Sequence, residues 1–435
     1  MGKNNFRKIA TITLFESAVQ WYCFLLYGTA AGPVVHKVFF SQTGNGTTAL
    51  ILSYMSFAIG YIAGPFGAIF FGHIGDRKGR KVTMYASLLM MGISTSIIGI
   101  LPPAASAGVG VVIVLQLMRL AQCFGRGGTW GGGILMAYEN VPENKRSFYA
   151  AIPQIGLPIG FGLSSILIAV PTLLLPEDIF FTWGWRIPFL AAIILTVIVI
   201  RQKGEMMETE DYKKAQAKLE AEEAEGKKHK VGFIPMVKGY WKTLLLGCGT
   251  RWVDGTFYNI FIVWILSYCI NWLGMPLIQT YIITIIACIF KIPFTLFGGW
   301  CAQKLGNTRT FVIGALASAV LSIPTLKVIE LSKGNLAITI IGIVLGWSIA
   351  YNLIWAVISS LWSSYFETEV RYSGISFVYH VPSFLVAGMV PTICTLLINY
   401  GKGDTIYVGI YSTVVALISA ACALALKARH DRGEK

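Results

Sequence analysis

The stretch Gly72-His73-Ile74-Gly75-Asp76-Arg77-Lys78-Gly79-Arg80-Lys81 lies between two apolar runs, 48–72 and 82–101. Each run is long enough to cross a bilayer, which takes roughly 20 apolar residues. Gly72 and Gly79 permit a tight turn, while Asp76 can cap a neighbouring helix end and pair with Arg77 or Arg80. A charged latch of this kind stabilises one arrangement of two rigid bodies and must break in the other. A degraded echo, Gly298-Gly299-Trp300-Cys301-Ala302-Gln303-Lys304-Leu305-Gly306 followed by Arg309, begins 226 residues after Gly72. Gln303 stands there in place of the acid, so the second latch should hold less firmly. The repetition predicts an internal duplication, with two halves in parallel.

Outward from this stretch, apolar runs continue to both ends of the chain. They lie near 10–36, 48–72, 82–101, 109–138, 147–174, 184–200, 240–271, 277–301, 310–326, 335–358, 371–398 and 404–426. Of the 435 residues, 55% are hydrophobic and 13% charged, whereas a soluble domain averages about 25% charged. Lipid is therefore the solvent, and each span must be helical so that its backbone groups bond internally. The expected fold is an all-α membrane protein with about twelve transmembrane helices in two six-helix halves.

The net charge of +14 does not mark a nucleic-acid surface. Basic residues concentrate in alternate loops: 76–81, 145–146, 201–230, 304–309 and 427–435. The intervening loops carry only Lys37, then Lys327, Lys333 and Lys402. This positive-inside bias puts both termini in the cytoplasm, as an even number of spans requires. The expected location is a bacterial inner membrane. The one long polar stretch, Gln202 to Lys230, reads as a charged surface helix and basic linker, too short for a core of its own. The chain then divides into a half at 1–201, a linker at 202–238 and a half at 239–435. The eight scattered cysteines form no metal-ligand spacing, so neither a metal nor a cofactor is expected. There is no G-x-S-x-G, P-loop or HExxH, which argues against an enzyme and against an ATP-driven pump.

Several blocks resemble the major facilitator superfamily and, within it, the metabolite:proton symporter family. The 72–81 stretch matches the superfamily signature between helices two and three. Trp21 to Gly28, Arg119-Leu120-Ala121-Gln122, Gly127-Gly128-Thr129-Trp130-Gly131-Gly132, Ser147 to Gly156, Trp183 to Phe189 and Val370-Arg371-Tyr372-Ser373-Gly374 are similar to the narrower family. The resemblance implies a major facilitator fold and carriage of organic acids or zwitterions by alternating access. Two departures stand out. The family usually has an acid where Cys23 stands in helix one, and a glutamate where Thr129 stands in helix four. These are the carboxylates expected to relay a proton, so inherited proton coupling loses its groups.

Other charges lie within the spans. Glu16 is seven residues before Cys23 and Arg126 three before Thr129, each on the corresponding helix face. A charge at mid-bilayer costs at least ~2.5–3.5 kcal/mol, so it faces a cavity or a partner. Either Glu16 and Arg126 approach each other across the cavity, or Arg126 takes the substrate anion directly. Arg251 and Asp254 lie one turn apart on helix seven, and Lys291 lies inside helix eight, where a snorkelling side chain is the bland alternative. The cavity should therefore be positive, which favours an anion that a guanidinium can bind bidentately.

The expected function is transport of a small organic carboxylate, with uniport or anion exchange as open as coupling. Arg126, Arg251 and Lys291 would bind the cargo, with Glu16, Thr129, Trp130, Tyr22, Tyr258 and Tyr379 shaping the pocket. Glu16, Asp254 and His380 are the coupling candidates. The rival expectation is an ion-coupled carrier of a zwitterion such as betaine or proline, with Glu16 taking the ammonium. A small molecule and the bilayer are the expected partners, and a monomer is the working expectation.

Overall fold

A computed structural model of the chain describes residues 3–41, 46–78, 80–139, 141–202 and 233–434. Among these, twelve helices are long and apolar enough to span a membrane. They are α1 (Ile9–Ala30), α2 (Thr48–Phe71), α3 (Val82–Ile100), α4 (Val109–Glu139), α5 (Glu143–Leu174), α6 (Glu177–Arg201), α7 (Met236–Asn271), α8 (Leu277–Leu305), α9 (Asn307–Leu331), α10 (Leu336–Tyr365), α11 (Val370–Tyr400) and α12 (Ile406–Asp431). The charged surface helix expected between the halves lies mostly outside the described residues. Helical backbone resumes at Phe233, inside the stretch assigned to the linker, and a kink at Tyr240 falls near the start of α7.

The pairing of helices repeats. In the first half α2 packs on α4, α1 on α5 and α3 on α6; in the second α8 packs on α10, α7 on α11 and α9 on α12. The main contacts of α3, α6, α9 and α12 stay within their own half, while α5 meets α8 and α10, and α2 and α4 meet α11. Small residues set the closest approaches, as expected where lipid removes the hydrophobic drive between helices. A Cβ on Gly67 would fall 1.9 Å from the Phe124 carbonyl oxygen, and one on Gly255 would fall 2.3 Å from that of Val386. The glycine clusters of α4 and α5 act the same way: Gly128 abuts Phe71 and Gly156 abuts Ser17. Large apolar side chains such as Phe66, Val320 and Leu385 turn outward, where lipid would meet them.

The helix ending in the latch stretch runs unbroken to Lys78 and a new one starts at Arg80. Gly79 and the side chains of Gly72, Asp76, Arg77 and Arg80 lie outside the described residues. The echo in the second half is described, and Gly299 there packs against Ala151 of α5, across the interface between halves.

On the face opposite the termini, Lys327 bonds Glu330 at 3.0 Å and Asp404 at 2.6 Å, tying the α9–α10 side to the α11–α12 loop. The Lys327 ammonium and the Ile406 amide hold the Asp404 carboxyl below its usual range.

Candidate functional site

Arg126 sits midway along α4, where the neighbouring Gly127 lets α2 approach. The residue is 2% exposed. Its guanidinium lies 3.8 Å from the Phe24 ring centre and 4.7 Å from that of Trp21, both on α1, and 5.8 Å from that of Tyr61 on α2. It donates to the Tyr379 hydroxyl on α11 at 2.5 Å. Among the described residues no carboxylate pairs with it. A ring facing a desolvated cation contributes about 2 kcal/mol, against at least ~2.5–3.5 kcal/mol for a charge at mid-bilayer. Several rings together can therefore hold this cation charged without an acid.

The second half treats its charges differently. Arg251 and Asp254, one turn apart on α7, form a buried ion pair. Tyr351 of α10 donates to the other Asp254 oxygen, and Arg251 also lies 4.3 Å from the centre of the Tyr379 ring. A π-helical turn at Val344–Ala350 leads directly into Tyr351 and Asn352, a feature that often marks functional helices. Lys291 of α8 donates to the Asn352 side-chain oxygen at 2.8 Å, and Asn352 returns a bond to the Lys291 carbonyl at 2.9 Å. With no exposure at all, Lys291 does not snorkel. Trp130 stacks on Tyr379 with centroids 3.9 Å apart, and Tyr258 meets Trp21 at 5.6 Å. Arg126 and Arg251, one from each half, thus meet at Tyr379, with Asp254 paired to Arg251 and Lys291 held against α10 of the second half.

Other expected site residues lie elsewhere. Glu16 does not pair with Arg126: its Oε2 lies 2.6 Å from where a Cβ on Gly133 would sit. That is seven residues along α4, about 10 Å of helical rise. Tyr22 turns away from the centre and donates to the Pro188 carbonyl of α6 at 2.5 Å, because α1 presents Trp21 to Tyr258 and Trp355 of the other half instead. Thr129 bonds the Arg126 carbonyl at 3.2 Å and meets the Met91 sulfur of α3 at 3.8 Å. Its neighbour Trp130 takes the central position. Cys23 also stays within the first half, where Gln122 donates to its carbonyl at 2.8 Å and to Thr95 at 2.6 Å. His380 is buried beside the centre, its Nδ1 3.0 Å from where a Cβ on Gly64 would stand. Tyr61, Tyr351 and Asn352 were not anticipated. An amide inside the apolar tenth run was the only local signal among them.

The centre is closed on both faces. Towards the termini, Glu139 of α4 pairs with Arg371 of α11 at 3.5 Å, and Ser147 of α5 donates to Asn307 of α9 at 2.9 Å. Gln154 and Trp355 exchange bonds of 3.1 and 2.9 Å, side chain to carbonyl in each direction. On the opposite face Gly28 packs against Val263 and Gly388 against Ala58, and the Thr392 hydroxyl of α11 meets the Met55 sulfur of α2 at 3.8 Å. Beyond it lies a cleft of about 400 Å³ lined by Leu50, Trp264, Tyr268, Asn271 and Asn399, among others. With both faces joined, the charged centre is shut off from either side.

A family model described as Major Facilitator Superfamily matches residues 22–391. The chain is 33% identical to an inner membrane metabolite transport protein, YhjE, of Escherichia coli K12, over 98% of this chain and 96% of that one. It is 31% identical to the shikimate transporter of the same organism, over 97% and 94%. In fold it is similar to the proton:xylose symporter XylE bound to 6-bromo-6-deoxy-D-glucose, with a TM-score of 0.77, 16% identity, and 98% and 95% of the two chains covered.

Proposed function

Because the chain belongs to the major facilitator superfamily, as a multi-pass inner-membrane secondary transporter and not an enzyme, we propose that its cargo is a small organic carboxylate bound at mid-membrane by Arg126. The carrying observation is the charge excess: Arg251 is answered by Asp254, whereas Arg126 has aromatic faces and a neutral phenol. A carboxylate supplies the missing charge and two acceptor oxygens for a planar fork of donors. Lys291, whose amine lies between the Trp347 and Tyr351 rings, is a further basic side chain on the second half's side of the site. Trp130, Tyr258 and Tyr379 shape the walls.

Transport follows by alternating access, the halves rocking about the cargo with both termini in the cytoplasm. Of the coupling candidates, Asp254 and His380 lie in the site's reach, and Cys23 and Thr129 stand in place of the family's acids. Proteoliposome flux under an imposed pH gradient, with and without valinomycin, distinguishes coupling through either group from uniport or exchange. The zwitterion reading is weaker on a specific ground. A quaternary ammonium needs an aromatic cage, and the Trp21, Phe24, Tyr61 and Tyr379 rings already face Arg126. Glu16, which would have taken that ammonium, lies two turns away against Gly133.

The test is Arg126→Ala. Uptake of organic acids should fall about 100-fold or more, as for loss of one partner from a desolvated charge pair, with the protein still present in the membrane. Normal uptake by that variant would refute the assignment.

A further inference from the structure

Tyr379 occupies an unusual position for a wall residue. Its hydroxyl takes the Arg126 donor, one ring face stacks on Trp130, and the Arg251 guanidinium lies over the ring. Two arginines from opposite halves therefore converge on one phenol. We infer that Tyr379 is an internal occupant of the anion site, whose oxygen stands where a cargo carboxylate oxygen must bind and is displaced when the cargo arrives. This rests on Arg126 being the carboxylate site.

The chemistry favours exchange. A guanidinium carries five N–H donors, and the phenol engages Arg126 through a single one, leaving the buried Nε without a partner. A carboxylate can take two donors at once, and a bond charged on both sides is roughly twice as strong as a neutral one. The phenol therefore retains Arg126 in the empty protein and yields to an anion. The backbone ladder is interrupted just beyond it. The first helical segment of α11 ends at His380, Pro382 supplies no amide donor, and a π-helical turn follows at Phe384–Gly388. Tyr379 thus sits in the last regular turn before the ladder changes register, the stretch of α11 with the fewest regular backbone bonds to hold a ring shift back. Because α4 and α11 belong to different halves, displacing the phenol also removes one tie across the interface.

The consequence is that Tyr379 lowers affinity for the cargo it helps to enclose. The test titrates the purified full chain with benzoate, cyclohexanecarboxylate and succinate, using benzamide as the neutral control, in wild type, Tyr379→Phe and Arg126→Gln. Removing the hydroxyl should tighten binding of acids about tenfold, the scale of one hydrogen bond to a charged group, and leave benzamide unmoved. Tyr379→Leu, which removes the hydroxyl without keeping the ring, should shift acid binding in the same direction. Arg126→Gln should abolish acid binding. Acids that need Arg126 but bind Tyr379→Phe no better than wild type overturn this inference alone. Acids that ignore Arg126→Gln, or that bind neither wild type nor Tyr379→Phe, overturn it together with the carboxylate assignment.

Discussion

On α4 the Arg126 guanidinium meets aromatic rings and one phenol, with no acid among the described residues; on α7 a single helical turn carries both Arg251 and the Asp254 that neutralises it. Lys291 lies between these extremes, hydrogen-bonded to Asn352 but without a carboxylate within ion-pair distance among the described residues. Burial is nearly complete for all three cations, so exposure does not separate their roles. Pairing does. A buried pair answers its own charge and makes a rigid scaffold, whereas a buried cation held by rings keeps its strongest interaction open for a ligand. The first half thus offers the binding charge, and the second supplies the frame around it.

Stability measurements can break or sharpen this contrast. Asp254→Asn should have the largest effect, since it leaves Arg251 buried opposite a neutral group; losing one partner of a buried pair costs about 3–5 kcal/mol. Thermal unfolding in detergent and the yield in membranes would report it. The double change Arg251→Met with Asp254→Leu should recover most of that loss, and failure to do so would mean that the pair contributes more than mutual neutralisation. Lys291→Met should cost less, about 1–3 kcal/mol, the range for a buried polar group such as the Asn352 side chain deprived of its partner. Tyr22→Phe should cost about 1 kcal/mol through the lost bond to Pro188, and leave the concentration dependence of uptake unchanged. A change in cargo preference for that variant would return Tyr22 to the site. Arg126→Met should be close to neutral, because relief of a buried charge that no acid answers offsets the lost ring contacts and the lost bond to Tyr379. A large drop in its unfolding temperature would show Arg126 to be part of the frame.

Much of this was legible in the sequence because it is local. The twelve spans follow from apolar length, the duplication from the echo at Gly298, and the Arg251–Asp254 pair from its one-turn spacing. Lys291 could be placed inside a span, though only the partner on α10 shows why it stays buried. What failed was orientation between helices. Helical periodicity puts Glu16 and Arg126 on defined faces of α1 and α4, but it does not give the axial offset, and Glu16 meets Gly133 instead. Tyr22 and Thr129 sit beside central residues in sequence, and a step of one residue turns the side chain by about 100° on a helix of 3.6 residues per turn. Tyr61 and Tyr351 gave no signal, since each owes its role to a partner more than 60 residues away.

The most direct measurement of the central claim is a structure of the protein loaded with a transported acid. The account predicts a carboxylate within hydrogen-bond distance of the Arg126 guanidinium, with the Tyr379 hydroxyl moved off it and the Arg251–Asp254 pair intact. A loaded structure in which Arg126 still donates to Tyr379 and the acid lies against other groups would contradict it.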